Sequence, residues 1–138
     1  MKLLQVEILD WGCTRLWLNR PEARNALNQN LRDELCQALV TADRSDATRV
    51  ILIQARGDHF CAGGDLLEFS QDTPELMRER GADRLWNVLE SLSKPIIVAV
   101  HGVAAGAGCE LALCADLLIA SDDAKFGQPE DGLSLIHI

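Results

Sequence analysis

The 138-residue sequence predicts an α/β fold. Short β-rich runs alternate with stretches whose apolar residues recur at helical spacing. Two of these runs, at residues 49–55 and 96–100, are built on short unbroken apolar stretches, as buried parallel strands are. Each of the two also runs into a glycine-rich turn that precedes the next helix. No repeat and no low-complexity linker divides the chain, so a single domain is expected.

Each element has its own local reason. Residues 3–9 and 13–19 are β-rich and flank Asp10-Trp11-Gly12, which predicts a hairpin. PEARNALN follows as an irregular loop, and Asn28 suits the N-cap of a helix whose buried stripe is Leu31, Leu35, Ala38, Leu39 and Ala42. Asp33 and Glu34 are placed toward the positive end of that helix. RVILIQA, at 49–55, reads as a strand and leads into RGDHFCAGGDL. Asp65 and Glu68 have capping-box spacing, and Thr73-Pro74 opens a further helix with Leu85, Val88, Leu89 and Leu92 on its buried side. Pro95 ends that pattern. Residues 96–100 form a second buried strand, 109–114 a helix and 116–120 a third strand.

Composition narrows the possible functions. At 48% hydrophobic and 25% charged residues the chain is globular, and 138 residues can bury a real core. A formal net charge of −8 argues against non-specific nucleic-acid binding, which needs Lys and Arg to neutralise phosphates. Five cysteines without a C-x-x-C pair suggest reduced thiols rather than a disulfide framework or a zinc site. Glu7 and Asp10 interrupt any signal-peptide apolar stretch. Residues 95–120 are long and apolar enough to imitate a membrane span, but Glu110 and Asp116 would each cost about 2.5–3.5 kcal/mol there. Strand, turn, helix, strand is the better parse.

Chemistry concentrates where RVILIQARGDHFCAGGDL and PIIVAVHGVAAGAGCEL repeat one design of strand, glycine-rich turn and helix start. Small residues allow close backbone approach, and the first N–H groups of a helix lack internal partners. Two such turns, if they converge, aim two N–H donors at one developing oxyanion; tight helix–strand packing is the alternative reading of either alone. Glu110 stands among Leu111, Ala112 and Leu113. It is either a solvated first-turn glutamate or a carboxylate in an apolar cleft, where desolvation would raise its pKa toward the range useful for proton transfer. Glu130, fixed near Gly127 and Pro129, offers it a partner, and paired carboxylates split into one acid and one base.

The motifs LNRPEARNALN, GDHFCAGGDL, KPIIVAVHGVAAGAGCELALCADLLIA and AKFGQPE, in this order and spacing, resemble the crotonase superfamily (the enoyl-CoA hydratase/isomerase family) as far as Glu130. The resemblance implies a crotonase-like α/β fold of repeated ββα turns, of which residues 1–130 are the N-terminal part. It implies that Gly64 and Ala107 supply the oxyanion-binding N–H groups; many relatives have Gly at the position of Ala107. It further implies that Ala23, Arg24, Ala62, Gly64, Asp65 and Leu66 line the coenzyme A and substrate site, and that Glu110 and Glu130 are the acid–base pair of a hydratase. The implied reaction adds water to a trans-2-enoyl-CoA, with no metal and no cofactor beyond the coenzyme A of the substrate. The implied setting is a cytoplasmic homotrimer or hexamer without nucleic-acid or membrane partners. Residues 131–138, DGLSLIHI, do not follow the family pattern and are expected to be a truncation or reading-frame boundary.

Rival readings differ in class. A dinucleotide site fails because Leu111 occupies the third glycine position after Gly106 and Gly108. His59, His101 and His137 form no H-E-x-x-H. Acyl-CoA isomerases and thioester hydrolases of the same superfamily, and a non-catalytic fragment of such an enzyme, remain as alternatives.

Overall fold

The computed structural model describes residues 2–64 and 83–127, together with the backbone of Ile136–His137. The capping box at Asp65 and Glu68 and the Thr73-Pro74 helix start lie outside the described residues.

The predicted hairpin is present. Strands β1 (Leu4–Ile8) and β2 (Cys13–Leu18) pair antiparallel, with Val6 opposite Leu16. Helix α1 (Gln29–Arg44) follows, and the Asn28 side chain accepts from the Leu31 N–H at 2.9 Å, satisfying an otherwise orphaned donor. Because α1 begins at Gln29, Asp33 and Glu34 fall beyond its first turn, where the helix dipole has faded. Asp33 instead accepts from the Gln29 side chain at 2.9 Å and faces Arg84 at 3.9 Å.

Strand β3 (Val50–Ala55), helix α2 (Arg84–Ser91) and strand β4 (Ile96–Val100) come next. Beyond them are β5 (Val103–Ala105), α3 (Ala107–Leu113), β6 (Leu117–Ala120), β7 (Lys125–Gly127) and β8 (Ile136–His137). The main sheet has the order β1-β2-β3-β4-β6, and every pair after β1-β2 is parallel. A smaller sheet has the order β5-β7-β8.

One face of the main sheet forms the core. Leu16, Leu18, Ile51, Ile53, Val98 and Val100 meet Leu31, Leu35 and Leu39 of α1 and Leu85 and Leu89 of α2. Each such Leu or Ile contributes about 1.5–3 kcal/mol by leaving water. The other face departs from expectation. Continuous apolar runs led us to expect strands covered on both sides, yet β3 and β4 alternate between buried and half-buried residues. Leu117 and Ile119 on β6 are 54% and 53% exposed. At the β1–β2 end this face is polar: Glu7 pairs with Arg15 at 3.0 Å, and the Arg56 guanidinium stacks 3.8 Å from the Trp17 ring.

The apolar segment at 95–120 resolves into β4, β5, α3 and β6, and among the described residues no helix is long and apolar enough to cross a membrane. Strands β5 and β7 were not anticipated. At three residues each they are too short to show a period, and their residues read as part of glycine-rich turns.

Candidate active site

The smaller sheet sets the geometry of the two glycine-rich turns. After β3, Gly57 turns the chain at φ +82°, and Phe60 is fully buried beneath the loop. Residues 61–64 then run extended between two neighbours. On one side, the Ala62 N–H donates to Arg24 O at 2.9 Å and the Leu27 N–H donates to Gly63 O at 2.7 Å. On the other, the Cys61 N–H donates to Val103 O and the Ala105 N–H to Cys61 O, both at 3.0 Å. Three segments far apart in sequence, 24–27, 61–64 and 103–105, therefore lie side by side.

The second turn is anchored just as tightly. The Val103 N–H donates to His59 Nδ1 at 3.1 Å, and the Gly102 N–H to Asp123 Oδ1 at 3.2 Å. At the far end of β5, Gly106 takes φ +54°, and its N–H donates to Gly127 O at 2.9 Å. This positive φ releases the chain from the strand and starts α3 at Ala107. Glycine is also required inside α3: a Cβ on Gly108 would sit 2.2 Å from Cys61 O. The helix start and the first loop are thus in backbone contact.

The two glycine-rich turns lie against each other in this arrangement. A trans peptide holds its C=O and N–H on opposite sides. Since Gly63 O faces Leu27, the Gly64 N–H is turned away from Leu27. A Cβ on Gly63, which has φ +112°, would lie 3.1 Å from Ala105 O and 3.9 Å from Ala107 N. Ala107 is the first residue of α3, where an N–H has no partner within the helix. Among the described residues, neither the Gly64 nor the Ala107 N–H is engaged in a hydrogen bond.

Glu110 follows in the same short helix, its N–H donating to Gly106 O at 3.0 Å. Its side chain is exposed, so the apolar cleft expected around it is not formed by the described residues. The reason is the helix face: Gly108, Cys109, Leu111 and Ala112 turn inward, which leaves Glu110 and Leu113 outward. Ala23 closes a short 3-10 turn, Pro21–Ala23, and Arg24 follows it in the left-handed region at φ +53° with an exposed side chain. The Ala62–Arg24 hydrogen bond brings these residues to the first loop. Asp65, Leu66 and Glu130 lie outside the described residues.

None of the five cysteines forms a disulfide. Cys61 is the extreme case, since burial pushes its thiol from the ordinary 9.0 up to about 12, against a smaller lowering by the Gly63 backbone contact. Its folded pKa lies above its unfolded one, so stability is complete below about pH 9 and declines as pH rises toward 12, where only the unfolded chain ionises readily. Alkaline denaturant titrations are expected to show this loss, with a slope of up to about 1.4 kcal/mol per pH unit, and Cys61→Ser is expected to remove that component. An unchanged alkaline slope in the serine variant would contradict the assignment.

Asn25 was missed by sequence reasoning. It is completely buried at φ +58°; its Oδ1 accepts from the Arg20 N–H at 2.7 Å, and its Nδ2 donates to Arg56 O and His59 O, each at 2.9 Å. The available signal was an asparagine inside an irregular loop, the residue type that best tolerates positive φ after glycine.

The family model for enoyl-CoA hydratase/isomerase matches residues 11–137. Crotonyl-CoA hydratase of Syntrophomonas wolfei is 41% identical over 123 residues, covering 87% of this chain and 47% of that protein. The 1,2-epoxyphenylacetyl-CoA isomerase of Escherichia coli K12 is 41% identical over 131 residues, covering 91% of this chain and 50% of that protein. A crystal structure of an enoyl-CoA hydratase from Mycobacterium smegmatis superposes with a TM-score of 0.89 at 33% identity, covering 98% of this chain and 54% of that one. The chain spans about half the length of the curated relatives it matches.

Proposed function

The chain belongs to the enoyl-CoA hydratase/isomerase family, and on that premise we propose that it carries the N-terminal half of an enoyl-CoA hydratase that adds water to trans-2-enoyl-CoA thioesters. What supports this reading is the backbone contact between the two glycine-rich turns that carry Gly64 and Ala107, whose N–H groups make no hydrogen bond among the described residues, with Glu110 three residues beyond Ala107 in the same helix. In the reaction, water held between Glu110 and Glu130 loses a proton to one glutamate as its oxygen bonds to the β-carbon. The other glutamate delivers a proton to the α-carbon, so the elements of one water molecule are added. In between, negative charge gathers on the thioester oxygen, where the Gly64 and Ala107 donors stabilise it. A donor of this kind is worth about 10²–10³ in rate.

Backbone and side-chain groups of Ala23, Arg24, Ala62, Asp65 and Leu66 would receive the coenzyme A part of the substrate. The reading asks for no resident cofactor. It places the complete protein in the cytoplasm as a homotrimer or hexamer. A second reading, an acyl-CoA isomerase, is favoured by the similarity to the E. coli isomerase. The two are separated by incubating the protein, completed by its native continuation, with crotonyl-CoA and following loss of the conjugated thioester absorbance. Hydration to the 3-hydroxyacyl thioester is the expected result. Migration or opening of an isomerisable acyl group without any water addition would replace the hydratase with the isomerase.

A further inference from the structure

We propose that Asn25 and Cys61 form a buried clamp that positions the Gly64 N–H, making them positioning residues for whichever thioester oxygen that N–H receives; this rests on the acyl-CoA reading above. The argument turns on a single peptide plane. Gly64 N–H and Gly63 C=O belong to the same peptide, so holding the carbonyl aims the donor. The Leu27 N–H donates to that carbonyl at 2.7 Å, and the Cys61 thiol, which has one proton to share, lies 3.8 Å from it. The thiol also lies 3.2 Å from Asn25 O, so it bridges the carbonyls of the two neighbouring segments.

Asn25 locks the other side of the bridge. Its side-chain amide joins the 20–25 loop to the turn at 56–59, from which residues 61–64 emerge. All three bonds go to backbone atoms, and two of them need an N–H donor that aspartate cannot offer. Asn25 has a positive φ, and its own carbonyl accepts from the Cys61 thiol at 3.2 Å. Gly63, at φ +112°, has no side chain to hold its own peptide. Without the clamp, nothing but the Leu27 bond restrains its peptide among the described residues. Arg24 precedes Asn25 directly, so the segment proposed to receive coenzyme A is tied to the oxyanion donor through this same pair.

Two measurements test the clamp. In the 138-residue chain labelled with ¹⁵N, the Leu27 and Ala62 amides are expected to be protected from hydrogen exchange while the Gly64 amide exchanges freely. Cys61→Ala and Asn25→Gly, the latter tolerating the positive φ, are expected to speed Leu27 exchange at least about 10-fold, with Ile53 in β3 unchanged. Cys61→Ser retains a donor and is expected to restore protection. In the completed enzyme, Cys61→Ala is expected to lower kcat about 10–100-fold, part of the value of one oxyanion donor, with KM within about 2-fold. The serine variant recovers most of this.

Rapid Leu27 exchange in the wild-type chain overturns the clamp without any variant having to fold. So does an active enzyme in which Cys61→Ala changes neither exchange nor kcat, or accelerates exchange and leaves kcat untouched. A wild-type protein inactive on every acyl-CoA thioester rejects the acyl-CoA reading; the exchange pattern of Leu27 and Gly64 then still decides whether the clamp exists.

Discussion

Glu110→Gln is expected to lower kcat for enoyl-CoA hydration by about 10²–10⁴-fold in the completed enzyme, the range for loss of a positioned acid or base. Glutamine keeps the size and shape of the side chain and removes only its ability to exchange a proton. The side chain is exposed, and no hydrogen bond of the described residues depends on it, so the fold has little to lose. A first-turn carboxylate on a helix is worth roughly 0.3–1 kcal/mol through the dipole, and that is the full stability change expected. The checks are steady-state hydration kinetics alongside a thermal melt. Full activity in a folded Glu110→Gln protein would remove Glu110 from the mechanism and leave the two N–H donors serving another acyl-CoA reaction.

Glu110 stands out in the sequence because an acidic residue interrupts an apolar run, which leaves open both a solvated first-turn glutamate and a carboxylate in an apolar cleft. Sequence places it among Leu111, Ala112 and Leu113, which suggests burial; the helix turns Leu111 and Ala112 inward and leaves Glu110 outward. Neighbours in sequence are not neighbours in space on a helix, where faces repeat every three to four residues. Gly64 and Ala107 were legible differently. Nothing in either loop alone says that it meets the other, and the family resemblance supplied their pairing.

The crotonase-like α/β fold was legible because its elements announce themselves locally. Asn28 starts α1 with the cap its side chain predicts, and Pro95 marks the end of the α2 region. The continuous apolar runs at 50–55 and 96–100 are strands as expected. The smaller sheet and the bridges beside it were not legible, because they join short segments from distant parts of the chain: β5 pairs with β7, Cys61 bridges to Ala104, and Leu27 to Gly64. Those pairings depend on tertiary contact rather than propensity. Asn25 belongs to the same category, since its role exists only once residues 20, 56 and 59 surround it.

The contact between Gly108 and Cys61 makes the second large effect predictable, because two opposing terms differ clearly in size. In an isolated helix, Gly→Ala would gain about 1 kcal/mol of propensity. Here the new Cβ would stand 2.2 Å from Cys61 O, 2.8 Å from Cys61 Cβ and 2.9 Å from Cys61 C. Two of these three are backbone atoms of an extended segment bonded on both sides, so no flexible side chain can swing away. The helix start and the 61–64 segment must separate by about 1 Å, and overpacking of this sort costs about 1–3 kcal/mol, more than the propensity gain. That separation pulls the Ala107 N–H away from the Gly64 N–H and disturbs the Cys61 hydrogen bonds to Val103 and Ala105. Misplacing a catalytic group by about 1 Å can cost on the order of 10²-fold in rate. Gly108→Ala is therefore expected to lower both the urea midpoint and kcat, whereas Glu110→Gln lowers kcat alone. If Gly108→Ala raised stability and preserved kcat, the close packing of α3 on the first loop, and with it the proposed convergence of the two donors, would have to be abandoned.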